Sequence, residues 1–115
     1  MRRGDIYLAD LEPVKGSEAN KRRPVVIVSN DESNAVVEQF GAGMVTVVPL
    51  STNTERIYNF QVFLPAEATG LSQDSKAQAE QIRAISTNRI TQLVGHVPDK
   101  QMQALDAALR LHLAL

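Results

Sequence analysis

Residues Gly16-Ser17-Glu18-Ala19-Asn20-Lys21-Arg22-Arg23-Pro24 run without a break into Val25-Val26-Ile27-Val28-Ser29-Asn30. A turn of small residues, one carboxylate and three successive cations are thus delivered to the mouth of an apolar run that reads as a fully buried strand. Arg23 precedes a proline, whose ring clashes with the preceding residue and keeps Arg23 in extended backbone. A guanidinium aimed from a fixed backbone presents a planar fork of donors. Gly16 frees nearby main-chain N–H groups to meet an anion. The combination suits a phosphate. Residues 15–23 set Lys15, Lys21, Arg22 and Arg23 against Glu18 alone, so a polyanion would be gripped by a local patch.

Other chemistries are poorly supplied. The chain has no cysteine, which removes disulfides, thiolate nucleophiles and cysteine-held metals together. The two histidines, His96 and His112, are far apart and have no carboxylate at a chelating offset, so no metal site is expected. His112 is expected on the packed face of a final helix, and His96 at the end of a strand. No phosphate-cradling glycine loop, dinucleotide fingerprint or Gly-x-Ser-x-Gly elbow occurs, and no cofactor is expected. Ser17 follows a glycine, but no histidine is placed to activate it.

The elements that must position these residues belong to one domain over residues 1–115, with net charge −1, 43% hydrophobic and 22% charged residues, which is ordinary for a folded globular chain. The basic excess is confined to residues 1–23, where Arg2, Arg3, Lys15, Lys21, Arg22 and Arg23 oppose Asp5, Asp10, Glu12 and Glu18. Acidic residues dominate the rest. No apolar run approaches a membrane span, and Met1-Arg2-Arg3-Gly4-Asp5 leads into no secretion signal, so a cytoplasmic location is expected.

Alternation predicts a strand over Asp5–Leu11, followed by a loop from Glu12 to Arg23. A loop of about a dozen residues in so small a domain is usually functional. Val25–Ser29 is the next strand, Asp31 caps a short helical turn, and Gly41-Ala42-Gly43 breaks the chain. Met44–Val48 reads as a strand interrupted by Pro49 and resumed over Leu50–Asn53, with the proline at an edge or bulge. Tyr58–Leu64 is a further strand, with Phe60, Val62 and Leu64 on one face. Ser75–Ile85 has helical propensity but strand-like alternation, and the alternation favours a strand, with Gln81 and Arg83 on one face. Leu93–Val97 is a last short strand. A helix then opens at Pro98-Asp99, with Met102, Leu105, Leu109 and His112 on its apolar stripe. Five to seven strands and a terminal helix predict a mainly β fold, a small SH3-like barrel.

Arg3-Gly4-Asp5-Ile6-Tyr7, Asp10-Leu11-Glu12-Pro13, Gly16-Ser17-Glu18, Arg23-Pro24-Val25, Ser29-Asn30-Asp31, Val48-Pro49-Leu50-Ser51 and Ala79-Glu80-Gln81-Ile82-Arg83 follow one another in an order that closely resembles the MazF/PemK family. Those proteins are toxins of type II toxin–antitoxin systems that act as mRNA interferases. The resemblance spans nearly the whole chain. It implies a PemK/CcdB-type barrel, a homodimer, metal-independent cleavage of single-stranded RNA, and a MazE-like antitoxin with an acidic flexible segment. By position, Arg23 matches the family's catalytic arginine, Glu18 the acidic residue of the Gly-Ser-Glu turn, and Ser51 a hydroxyl position where many members have threonine. The serine keeps the hydroxyl and loses a methyl. Ser17, Lys21, Arg22, Asn30, Thr52, Gln81 and Arg83 are the expected RNA contacts, although the Asn20-Lys21-Arg22 segment varies within the family. The residues themselves leave structural roles open: Glu80 and Arg83 paired across a barrel rim, and Asn30 satisfying turn backbone.

RNA carries its own nucleophile, the 2′-OH, so such a site need only move protons and stabilise charge on phosphorus. Two other readings share the barrel. A CcdB-type gyrase poison uses a terminal Trp-Gly-Ile, whereas this chain ends Leu111-His112-Leu113-Ala114-Leu115 and has no tryptophan. A peptide-binding adaptor would need an aromatic groove, for which two tyrosines and three phenylalanines are scant supply.

Overall fold

The computed structural model describes residues 1–13, 15–18 and 21–115, so Ala19 and Asn20 of the cationic stretch lie outside the described residues. The described residues form seven antiparallel strands: β1 Asp5–Asp10, β2 Arg22–Ile27, β3 Met44–Ser51, β4 Gln61–Leu64, β5 Ser75–Gln78, β6 Arg83–Ser86 and β7 Ile90–His96. They pair in the order β4-β5-β3-β2-β1-β7, with β6 also on β3. Helices α1 (Asp31–Phe40), α2 (Ala66–Thr69) and α3 (Asp99–Leu113) complete the fold. The expected mainly β architecture with a C-terminal helix is what forms.

The valine-rich run of β2 is explained by burial on both sides. Successive side chains of a strand point to opposite faces. Val26 and Val28 accordingly join Ile6, Val48, Leu50 and the Leu105 and Leu109 side chains of α3 in one core cluster. Val25 and Ile27 join Ala9, Leu11, Val45, Val47 and Ile85 in the other. Both clusters are aliphatic at their buried centres, and the central strands are clamped between them.

Several elements differ from the sequence-based expectation. β2 begins at Arg22, so the strand extends into the cationic run. The turn expected at Asp31 is a ten-residue helix, and its cap is Asn30, whose Oδ1 accepts from the Ser33 N–H at 2.8 Å. β3 continues through Pro49. On one side it pairs with β2 over Val47–Pro49, and on the other its partner changes from β6 at Met44–Val47 to β5 at Leu50–Ser51. The proline, which has no N–H to donate, falls at that changeover. β4 is only Gln61–Leu64, because Tyr58 and Phe60 belong to the preceding loop. Residues 75–85 form β5 and the start of β6, separated by a 3₁₀ turn at Ala79–Gln81. That turn breaks the alternation that would have put Gln81 and Arg83 on one face. β7 starts at Ile90, three residues before the expected position. Leu105 and Leu109 of α3 are buried as expected, but His112 is exposed. Among the described residues, no helix is long and apolar enough to cross a membrane.

Candidate functional site

The β2–β3 ladder pairs Ile27 with Val47, Val26 with Val48 and Val25 with Pro49, and ends there. Pro24 follows with no N–H, and beyond it the two strand ends part. Continuing the register by two residues sets Arg23 opposite Ser51. Between the ends lies a recess of about 250 Å³ lined by Lys21, Arg22, Arg23, Pro24, Leu50, Ser51 and Thr52. Three of those lining residues are cations and none is acidic, so the recess favours an anion.

Each wall is fixed locally. The half-buried Arg23 donates from Nη1 to the Leu50 carbonyl at 3.3 Å, which lays the guanidinium across the gap. The Ser51 hydroxyl oxygen accepts from the Asn53 N–H at 3.2 Å. A hydroxyl that accepts one bond retains its own O–H to donate. Lys21 turns the chain into β2 with left-handed backbone, φ 66°. That conformation is held by its N–H donating to Glu12 Oε1 at 2.9 Å and by its carbonyl accepting from Leu11 at 3.1 Å. Arg89 donates to the Asp10 carbonyl at 3.2 Å and also to the Glu12 carbonyl, pinning the base of the loop.

The structure brings Arg23, Ser51, Lys21, Arg22 and Thr52 together, and gathers a second group beside them. Gln81 donates from Nε2 to the Ser17 carbonyl at 3.1 Å, tying the 3₁₀ turn to the Gly16-Ser17-Glu18 turn. Glu18 is exposed at that turn, where its carboxylate accepts from the Lys15 N–H at 2.8 Å, and it lies outside the lining of the recess. Arg83 opens β6 opposite Val47, and its Nη1 is buried without a hydrogen-bond partner. Glu80 accepts from Gln61 Nε2 at 2.7 Å through one oxygen, while its other oxygen is buried and unpartnered. No rim ion pair between Glu80 and Arg83 is formed. Asn30 sits past the far end of β2 from the recess and is used as the α1 cap.

Sequence reasoning missed Lys76. It is the register partner of Ser51, is only 8% exposed, and donates from Nζ to the Arg56 carbonyl at 2.9 Å. The bond ties down the loop that leaves Ser51. A lysine between Ser75 and Ala77 gives no signal of this, because the contact depends on where the loop returns. Among the described residues, no cluster of three or more histidine, aspartate or glutamate side chains could hold a metal ion.

Residues 2–113 match the family described as PemK-like, MazF-like toxin of type II toxin-antitoxin system. The endoribonuclease MazF9 of Mycobacterium tuberculosis is 52% identical over 115 residues, covering all of this chain and 98% of that protein. An endoribonuclease from a mycobacterial species, solved in complex with its cognate antitoxin, superposes with a TM-score of 0.75 at 25% identity, covering 100% of this chain and 96% of that one. MazF from Deinococcus radiodurans superposes with a TM-score of 0.82 at 22% identity, covering 100% and 97%; it bears on the fold alone.

Proposed function

The chain belongs to the PemK-like, MazF-like toxins of type II toxin–antitoxin systems, and from that membership we propose that it is an endoribonuclease cutting single-stranded RNA without a metal ion. The observation that supports the chemistry is the recess in which Arg23 and Ser51 face one another across two parting strand ends. The ribose 2′-oxygen attacks the adjacent phosphorus, forming an O2′–P bond as the P–O5′ bond breaks. The 2′-OH proton passes to a base, a proton is delivered to the departing O5′, and the products are a 2′,3′-cyclic phosphate and a 5′-hydroxyl. Arg23 and the Ser51 O–H donate to the non-bridging oxygens, where negative charge grows. As a planar cation with only donors, the guanidinium serves chiefly to stabilise that charge. Glu18, on the turn that Gln81 ties down, is the candidate base. Lys21 and Arg22 hold flanking phosphates. The partners that fit are a second copy of the chain and an antitoxin whose acidic flexible segment competes with RNA for this cationic loop.

The test is one oxygen atom. An RNA carrying a single 2′-deoxyribose immediately 5′ of the mapped scissile phosphate should bind nearly as well as the all-ribose strand and resist cleavage. The all-ribose strand should be cut in EDTA. Cleavage of the deoxy strand at the same bond would assign the attack to water or a side chain. Activity lost in EDTA and restored by a divalent ion would overturn the metal-independent step.

A further inference from the structure

The chain has only five aromatic residues, Tyr7, Phe40, Tyr58, Phe60 and Phe63. None is among the buried members of either core cluster. Phe63 lies in β4, and Tyr58 and Phe60 end the loop that begins directly after Ser51. There the Tyr58 and Phe60 rings stack with centroids 5.3 Å apart and planes 3° from parallel. The separation is that of an offset aromatic pair. Tyr58 nevertheless remains 46% exposed. The Arg56 guanidinium lies 5.8 Å from the centre of the Tyr58 ring, and its Nη1 donates to the phenol oxygen at 3.3 Å. A stacked pair with its tyrosine exposed and a cation beside it does little for folding that a buried leucine would not do better.

The pair is also held in place. Buried Lys76, the register partner of Ser51, fixes the Arg56 carbonyl. The Tyr58 N–H donates to Gln61 Oε1 at 3.1 Å, and Gln61 donates in turn to Glu80. Glu80 shares its 3₁₀ turn with Gln81, which reaches Ser17. Contacts therefore link the aromatic pair to the Ser51 wall of the recess and to the neighbouring Gly16-Ser17-Glu18 turn.

We propose that Tyr58, backed by Phe60 and flanked by Arg56, is a stacking platform for one unpaired base of the RNA next to the cleaved bond. This rests on the endoribonuclease reading and adds a residue that holds and orients the substrate. Single-stranded RNA is commonly recognised by splaying its bases onto aromatic and guanidinium planes. Such a platform accepts any base face and so contributes affinity and alignment without itself reading an edge. Tyr58 is a positioning residue here, since it touches a base and not the reacting phosphate.

Two measurements test the proposal. Cleavage by Tyr58→Leu should fall roughly ten- to hundredfold, the range of losing one base stack. An abasic site at one flanking position should cost the parent protein a similar factor and cost Tyr58→Leu almost nothing. Losses that multiply at every flanking position, or an undiminished Tyr58→Leu, would overturn the platform while leaving the cleavage reading intact. The second measurement needs no turnover. In a Tyr7→Phe protein Tyr58 is the one remaining phenol, and an uncleavable deoxy-substituted strand should quench its fluorescence on binding. Quenching without cleavage of the all-ribose strand would support the platform and reject the nuclease. A strand that binds without quenching, or does not bind, would overturn the platform whatever the cleavage result.

Discussion

The dipeptide Arg-Arg occurs twice, at residues 2–3 and 22–23, and the two copies stand in opposite settings. Arg3 is an internal clamp. Its Nη2 lies 2.7 Å from the Asp106 carboxylate of α3, its Nε donates to the Val28 carbonyl at 2.8 Å, and its main-chain N–H donates to Asp31 at 2.7 Å. The charge is matched within the fold, and three segments are tied by one residue. Arg23 donates to the Leu50 carbonyl at the edge of a recess with no acidic lining. The same residue type is a strut where a carboxylate meets it and the proposed anion ligand where strand ends part. Composition cannot distinguish these roles; the partners do.

The largest effect expected from this comparison is at Arg23. Arg23→Ala should cut the initial rate of RNA cleavage by roughly a hundred- to a thousandfold, the usual cost of one preformed donor to a developing oxyanion. Arg23→Lys should recover little of it, because an ammonium is a point charge and lacks the planar fork. Arg22→Ala, one residue along the same strand but exposed, should lose a few-fold, and that loss should vary with salt as a phosphate contact does. Equal losses at the two positions, measured at one ionic strength, would reduce the recess to an undifferentiated basic patch.

Arg3→Ala should show the reverse signature. Removing the side chain strands a half-buried Asp106 carboxylate and frees the end of β2 from α3. The ion pair is about one-third exposed on each side, so solvent screening reduces its worth. With the lost bond to Val28 counted, a destabilisation of about 1–2 kcal/mol is expected. Denaturant unfolding would read that loss, while cleavage per folded molecule should stay at the parent level. A variant that kept its stability and lost cleavage would reverse the assignment of the two arginines.

The elements legible in the sequence were those with a physical period. The alternation of β1, the doubly buried run of β2 and the apolar stripe of α3 each wrote their burial into residue order. α1 did not. Its one fully buried side chain is polar: Asn34 donates to the Ser29 carbonyl at 2.9 Å and accepts from the Ser29 hydroxyl at 2.6 Å. With caps at Asn30 and Gly41, the helix rests on hydrogen bonds more than on an apolar face, so hydrophobic periodicity had nothing to report. The 3₁₀ turn at Ala79–Gln81 was hidden by an alternation that continued through it. In the candidate site, Arg23 was legible because Pro24 fixes its backbone, and Ser51 only through its likeness to a family motif. The Lys76 anchor and the stacked Tyr58–Phe60 pair depend on where a loop returns in space, which no local spacing encodes.

The smallest effect belongs to the Arg3 clamp and separates its parts. The Asp31 carboxyl is held below its ordinary value of 3.8, first by the hydrogen bond from the Arg3 main-chain N–H, with the Asn34 side chain and the charges of Arg2 and Arg3 adding to it. A carboxyl whose folded-state pKa is depressed favours the fold above its unfolded value, and that contribution is lost as pH falls through the folded value. Asp31→Asn should therefore lower the melting temperature slightly at neutral pH. The difference from the parent should shrink below about pH 4 and vanish once both chains carry a neutral group there. Because the accepted N–H belongs to the backbone, the same pH-dependent difference should persist in an Arg3→Ala background, though diminished by the missing guanidinium. If Arg3→Ala abolished it, the side-chain charge and not the main-chain bond would be what holds Asp31 ionised. Cleavage per folded molecule should be indifferent to either change, because Asp31 lies beyond the opposite end of β2 from Arg23.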